Sequence, residues 1–105
     1  MSADFFCVTG GTGFLGRSLL AQLRLKSPMG VRTLTRSESH LPFGDSHQGN
    51  LLNRRSLDGF LLPRAVVVHL AYLSQATREQ NLLAVSNLVE ACLQAKVARF
   101  VHIST

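Results

Sequence analysis

The feature that most constrains this chain is the glycine-rich stretch at residues 8–16, which reads V-T-G-G-T-G-F-L-G. It follows an apolar segment of strand character and precedes a pattern typical of an amphipathic helix. Glycines at such a junction let the chain turn tightly and let backbone N–H groups approach an anion. The helix N-terminus adds partial positive charge at the same place. The stretch therefore predicts a phosphate-binding turn between the first strand and the first helix.

The spacing of the glycines distinguishes this turn from other kinds of glycine-rich turn. Gly10, Gly13 and Gly16 recur at every third position, and Gly11, Gly13 and Gly16 also satisfy G-x-G-x-x-G. A glycine triplet alone is a weak signal, but between a strand and a helix it indicates dinucleotide binding. A P-loop would need lysine after the last glycine, where this chain has Arg17. The simplest alternative is a tight turn that binds no ligand.

The rest of the chain alternates strands with helices. The expected strands cover residues 4–9, 31–35, 46–49, 65–71 and 99–104, and the expected helices cover residues 13–26, 54–62 and 78–95. Thr77 and Gln80 have the spacing of a capping box, and Asn53 is expected to cap the short helix. Such alternation implies right-handed crossovers and a parallel sheet. We predict an α/β, Rossmann-like doubly wound sheet of about five strands in the order 3-2-1-4-5.

The last expected helix carries an apolar stripe that we expect to be buried, formed by Leu82, Val85, Val89 and Cys92, with Leu88 adjacent. Cys92 and Cys7 both lie in apolar surroundings on separate elements. We expect both thiols to be buried and free, as in a protein of a reducing compartment, and we expect a cytoplasmic protein.

Composition excludes several classes of function. The chain has 105 residues, of which 46% are hydrophobic and 16% charged, which suits one globular domain. No apolar run has the length of a membrane span, and the N-terminus does not read as a signal peptide. The net charge of +5 comes from scattered arginines, which argues against nucleic-acid binding. The histidines and cysteines lack metal-ligand spacing, so His69 and His102, both on expected strands, are expected to be packing or edge residues.

Together these motifs resemble the extended short-chain dehydrogenase/reductases, which are NAD(P)-dependent epimerases, dehydratases and reductases acting largely on nucleotide sugars. Residues 9–16 are similar to the family's T-G-x-x-G-x-x-G, residues 49–51 to its G-D-[LI] and residues 68–71 to its V-x-H-x-A. Residues 81–91 are similar to its N…nll.A helix and residues 100–105 to its FVhiST. The resemblance covers essentially the whole chain but only the cofactor-binding half of the family.

The resemblance implies a set of cofactor contacts. Asn50, which stands where the family has Asp, and Leu51 would hold the adenine. Leu70, Ala71 and Tyr72 would line the ribose on the nicotinamide side. The contacts of the glycine loop would come from Gly10, Gly11, Thr12, Gly13, Phe14, Leu15 and Gly16.

The choice between NAD and NADP can be argued from charge. An NAD enzyme of this fold would place Asp or Glu at the end of the second strand, where it binds the ribose hydroxyls. This chain has Thr35, Arg36 and Ser37 there. A guanidinium and two hydroxyls would bind a 2′-phosphate, so NADP is favoured. In the alternative interpretation, Arg36 is an exposed loop residue or stacks on the adenine.

Catalysis in the resembling family uses a Ser or Thr hydroxyl together with Tyr and Lys in Y-x-x-x-K. Thr105 matches the hydroxyl position, but Tyr72, the single tyrosine, is followed four residues later by Ala76. We therefore expect residues 1–105 to be an N-terminal NAD(P)-binding part that is inactive alone. We also expect apolar surface that favours association, and a possible homodimer.

Two functional hypotheses follow. In the first, the chain is the cofactor-binding part of an epimerase, dehydratase or reductase for a nucleotide sugar, or of a steroid- or flavonoid-type reductase that uses the same half. In the second, it belongs to a non-catalytic NADP(H)-binding sensor or regulatory protein.

Overall fold

The computed structural model describes residues 5–10, 14–26, 30–36, 45–70 and 76–103. The elements follow in the order β1 (Phe6–Thr9), α1 (Phe14–Lys26), β2 (Val31–Thr35), β3 (Asp45–Gln48), a 3-10 helix (Arg54–Leu57), β4 (Val66–His69), α2 (Arg78–Ala95) and β5 (Arg99–His102). The strands form one parallel sheet in the order β3-β2-β1-β4-β5, which confirms the predicted topology. Among the described segments, no helix has the length and apolarity that a membrane crossing requires.

The register of the sheet brings the carboxyl ends of the strands to one edge. Thr9 at the end of β1 lies opposite Leu34 of β2 and His69 of β4. His69 in turn lies opposite His102, the last residue of β5. The segments that leave these strands therefore start side by side, and we call this side of the sheet the carboxyl edge.

The two faces of the sheet are covered by different elements. Cys7 of β1 and Val67 of β4 face a core cluster that includes Leu88 of α2 and residues around the 3-10 helix. Val8 of β1 belongs to a second cluster that contains Leu20 of α1. Side chains alternate between the faces of a strand, so a strand covered on both sides is apolar at nearly every position. This explains the continuous apolar pattern of β1 and β4.

The expected buried stripe of α2 is wrong at Leu82 and Val89, whereas the adjacent Leu88 is fully buried. Leu82 is 60% exposed, Val89 is 38% exposed and Val85 is half-buried, whereas Cys92 is buried. The buried face of α2 consists of Ala84, Asn87, Leu88, Ala91 and Cys92. Apolar residues surround much of this helix, so more than one stripe fits a period of 3.6 residues. Packing selects the stripe that carries two alanines.

The ends of the helices follow local chemistry. The predicted capping box is confirmed, since Gln80 N–H donates to Thr77 Oγ1 at 3.1 Å and Thr77 N–H donates to Gln80 Oε1 at 2.9 Å. The predicted helix over residues 54–62 is wrong, because the helical turn ends at Leu57, and Asn53 makes no side-chain capping bond. Gly59 has φ +84°, a left-handed conformation that cannot continue a right-handed helix.

We expect Leu88→Ala to lower the free energy of unfolding by about 2–5 kcal/mol, because Leu88 is fully buried and truncation leaves a cavity. Leu93 of the same helix is 75% exposed, so Leu93→Ala is the matched control, with an effect within about 0.5 kcal/mol. Urea unfolding followed by circular dichroism measures both. Equal losses would contradict the observed orientation of α2.

Candidate functional site

The glycine turn joins the centre of the sheet to α1. Gly10, directly after β1, has φ +80°, which favours glycine because a Cβ would be strained there. Gly16 is buried in the first turn of α1. The predicted turn residues Gly11, Thr12 and Gly13, and the side chains of Phe14 and Leu15, lie outside the described residues.

The N-terminus of α1 lies at the carboxyl edge because the helix begins right after this turn. Its first turn contains no acidic residue. The first N–H groups of a helix have no partner within the helix, and the helix dipole places partial positive charge there. This end of α1 is therefore suited to an anion.

The end of β1 is also tied to β4 by two hydrogen bonds. Thr9 Oγ1 and His69 Nδ1 are 2.6 Å apart, and Leu70 N–H donates to the Thr9 carbonyl at 3.0 Å. Both Thr9 and His69 are buried. Burial, together with the neighbouring His102, lowers the pKa of His69 to about 4, so its ring is neutral at neutral pH. The glycine turn therefore begins at a fixed strand end, because the side chain and the carbonyl of Thr9 are both hydrogen-bonded to β4 and the residue after it.

A second structured segment at this edge is the β3 loop, residues 49–53. Gly49 N–H donates to the Thr35 carbonyl at 2.7 Å, which carries the β2–β3 ladder one residue beyond the strand. The Asn50 side chain accepts a hydrogen bond at Oδ1 from Leu52 N–H at 2.9 Å, as in an Asx turn. Asn50 N–H donates to Ser56 Oγ at 2.8 Å. The bond at Oδ1 fixes the orientation of the Asn50 amide, whose Nδ2 can donate to a ligand and whose Oδ1 keeps a second lone pair.

Leu51 contributes to this loop from the inside. It is 5% exposed and belongs to the core cluster under the β3 loop. Its carbonyl accepts a hydrogen bond of 2.8 Å from Nδ2 of Asn87 on α2. The sequence reasoning missed Asn87 and Ser56 as residues that hold the loop. The available signal for Asn87 was an amide within an otherwise apolar stretch of helix.

Arg36 follows β2 at the carboxyl edge and is exposed. Thr35 is buried, so its hydroxyl is not available for the predicted binding of a 2′-phosphate beside Arg36. Leu70 follows β4 and is half-buried. Ser37, Ala71, Tyr72 and Thr105 lie outside the described residues. The described part of the site therefore consists of Gly10, Gly16, Arg36, Asn50, Leu51 and Leu70, all on elements that meet at this edge.

The thiols are poor candidates for nucleophiles. Burial raises the pKa of Cys7 and of Cys92 to about 11, and the neighbouring Cys7 adds to the shift of Cys92. Both are free and buried, as expected, and both stay protonated at neutral pH. Within the described segments, no group of His, Cys, Asp or Glu side chains could hold a metal ion.

This combination of sheet order, glycine turn and helix N-terminus defines a dinucleotide-binding fold of the Rossmann type. The family model described as "NAD dependent epimerase/dehydratase family" matches residues 6–105. The chain belongs to this NAD-dependent epimerase/dehydratase family, which confirms the resemblance inferred from the motifs.

Individual relatives agree with this assignment. A curated relative, 4-hydroxy-2-methyl-3-oxo-4-farnesyl-3,4-dihydroquinoline-1-oxide ketoreductase of Stigmatella aurantiaca, is 32% identical and is matched over 93% of this chain and 32% of its own length. A short-chain dehydrogenase/reductase superfamily protein of Agrobacterium tumefaciens with bound NAD has a TM-score of 0.78 at 28% identity, over 97% of this chain and 33% of that protein.

A variant of uronate dehydrogenase from the same organism, complexed with NAD, has a TM-score of 0.81 at 23% identity, over 99% of this chain and 42% of that protein. This likeness supports the fold. The chain spans between 32% and 42% of the length of these three relatives.

The described residues fit a dinucleotide. The left-handed Gly10 and the N-terminus of α1 suit a pyrophosphate, and neither brings a carboxylate to that place. The exposed Arg36 adds positive charge at the neighbouring strand end.

The buried neutral His69 predicts a loss of stability in acid. The folded-state pKa of about 4 lies below the ordinary 6.5, so the unfolded chain binds the proton more readily. The stabilising effect is complete above about pH 6.5 and is lost as the pH falls toward 4, by at most about 3 kcal/mol. Urea unfolding of the wild type and of His69→Gln at both ends of this window measures it.

We expect His69→Gln to flatten the acid dependence, and His102→Gln, which keeps the buried imidazole, to retain most of it. A His69→Gln profile parallel to that of the wild type would contradict the assignment to His69.

Proposed function

We propose that the carboxyl edge binds NAD(P)H and that the chain is the cofactor-binding part of an NAD(P)-dependent oxidoreductase or epimerase. The observation that carries this proposal is the junction of β1 and α1, where a left-handed Gly10 leads toward a helix N-terminus free of acidic residues. Membership of the family supports the same conclusion.

In this proposal each segment of the carboxyl edge has one role. The pyrophosphate lies against the glycine turn, the adenine against Asn50 and Leu51, and the ribose on the nicotinamide side against residues 70–72. The residues assigned to the turn are Gly10, Gly11, Thr12, Gly13, Phe14, Leu15 and Gly16. Support comes from the oriented amide of Asn50 and from the place of Leu70 directly after β4.

The chemistry of the whole protein is also a proposal. The bound nicotinamide would supply or accept hydride, and the Thr105 hydroxyl would orient the substrate oxygen. Residues 1–105 contain no Y-x-x-x-K, the motif that supplies the proton-exchanging tyrosine. We therefore propose that these residues bind the cofactor without turning over a substrate.

A nucleotide sugar is our first candidate substrate, on the strength of the motif resemblance. The ketoreductase relative at 32% identity supports a second candidate, reduction of a ketone on another organic molecule.

A cytoplasmic location is supported by the two buried free cysteines. A homodimer is supported by apolar side chains exposed on α2 and β5, among them Leu82, Leu93 and Val101.

We also propose that NADPH is preferred over NADH because the exposed Arg36 guanidinium pairs with the 2′-phosphate. One charge-assisted hydrogen bond corresponds to roughly a tenfold preference. Arg36→Ala is expected to remove this difference and Arg36→Lys to keep part of it. Titrations followed by nicotinamide fluorescence measure both affinities.

Arg99→Ala is the matched control, since Arg99 is also exposed but begins β5 at the opposite edge of the sheet. Equal affinities of the wild type for NADH and NADPH would overturn the role of Arg36. Absence of binding by both would overturn the proposed cofactor site itself.

A further inference from the structure

Asn87 lies where an apolar side chain would be expected. It is 9% exposed in the middle of α2, on the same buried face as Ala84, Leu88 and Ala91. Burial of an amide is unfavourable unless the amide is hydrogen-bonded, whereas a leucine would pack on this face without that cost. A specific polar contact must therefore account for this side chain.

The contact is with the β3 loop. Asn87 Nδ2 donates to the Leu51 carbonyl at 2.8 Å, a bond between residues 36 positions apart. Gly49 N–H ties the start of the loop to Thr35 of β2 at 2.7 Å, and the bonds further along the loop are local: Leu52 N–H and Asn53 N–H both donate to Asn50, at 2.9 and 2.8 Å, and Asn50 N–H donates to Ser56 Oγ. The bond from Gly49 fixes where the loop leaves the sheet and the local bonds fix its shape, whereas the bond from Asn87 fixes the middle of the loop against α2.

The position of the loop needs such a link because β3 is an edge strand of four residues that pairs with β2. α2 follows β4 on the other side of the central strand. A second link from α2 lies below the loop, where the Arg54 guanidinium pairs with Glu90 at 3.3 Å on the surface. The buried amide of Asn87 bonds to the loop itself, one residue after Asn50.

We propose that Asn87 is a positioning residue for recognition of the cofactor's base. By holding the Leu51 carbonyl, it fixes the direction in which the amide of the preceding Asn50 points at the adenine edge. The inference rests on the proposed cofactor site. It adds that base selectivity depends on a helix residue that is buried within the protein. Loss of the bond reduces discrimination between bases more than it reduces contact with the phosphates.

The test compares NAD with nicotinamide 1,N6-ethenoadenine dinucleotide, in which a bridge blocks N1 and N6 of the adenine. The wild-type chain is expected to prefer NAD. Asn87→Leu replaces the amide by an apolar side chain of similar size, and it is expected to weaken NAD binding by roughly three- to tenfold. Binding of the etheno analogue is expected to change by less than about twofold. Calorimetric titration gives both affinities, so the readout is their ratio.

The controls separate positioning from general destabilisation. Cys92→Ala truncates another buried residue of α2 and is expected to lower stability while leaving the ratio unchanged. Asn50→Ala, like Asn87→Leu, is expected to lower the ratio of the affinity for NAD to the affinity for the etheno analogue. The double variant is expected to lower this ratio little further, because the two residues act on one contact. If Asn87→Leu does not fold, Asn87→Ala gives the same readout with a smaller side chain.

An unchanged ratio in the folded Asn87 variant, or a wild type that binds both dinucleotides equally, would overturn the inference and leave the cofactor site standing. Absence of NAD binding by the wild type would overturn the proposed function and, with it, this inference.

Discussion

The structure depends on the parallel pairing of β1 with β2 on one side and β4 on the other. This pairing buries β1 at the centre of the sheet and aligns the ends of three strands. Thr9 lies in register with Leu34 and His69, so the segments after these strands begin at one edge. This register brings the other strand ends beside the start of the glycine turn, which is the arrangement that the proposed dinucleotide site requires.

Long-range polar contacts then fix elements that the sheet alone would leave loose. The Arg32 guanidinium donates to the carbonyls of Gly59 and Phe60 at 2.9 and 3.1 Å, which ties β2 to the segment after the 3-10 helix. Asn87 ties α2 to the β3 loop, and the Thr9–His69 pair ties the end of β1 to β4. Each of these contacts joins residues far apart in the chain, and the last two hold segments at the carboxyl edge.

The sequence was sufficient for the order and type of the elements because those depend on local periodicity and turn chemistry. The β2 bounds were predicted without error, and the capping box at Thr77 was confirmed. The buried face of α2 was not predictable, since its leucines and valines lie all round the helix and only packing chooses among them. The predicted short helix ends at Leu57, because Asp58 is extended and Gly59 is left-handed, and a helical sequence pattern does not reveal either conformation.

Within the candidate site, the strand-end positions of Arg36 and Asn50 followed from the predicted topology. Asn87 and Ser56 could not be found in this way, because their value comes from partners that lie beside them only in the folded chain. The assignment of the cofactor contacts themselves stays a prediction.

The most direct test of the account is to map the dinucleotide site on the 105-residue chain by nuclear magnetic resonance, with NADPH added to the 15N-labelled protein. The account predicts saturable shifts of the amide signals of Gly10, Arg36, Asn50 and Leu70 at the carboxyl edge. The signals of Gly30 and Arg99, at the opposite edge, should stay in place. Shifts confined to the groove between α2 and β5, around Leu93 and Phe100, or no shifts at all, would contradict it.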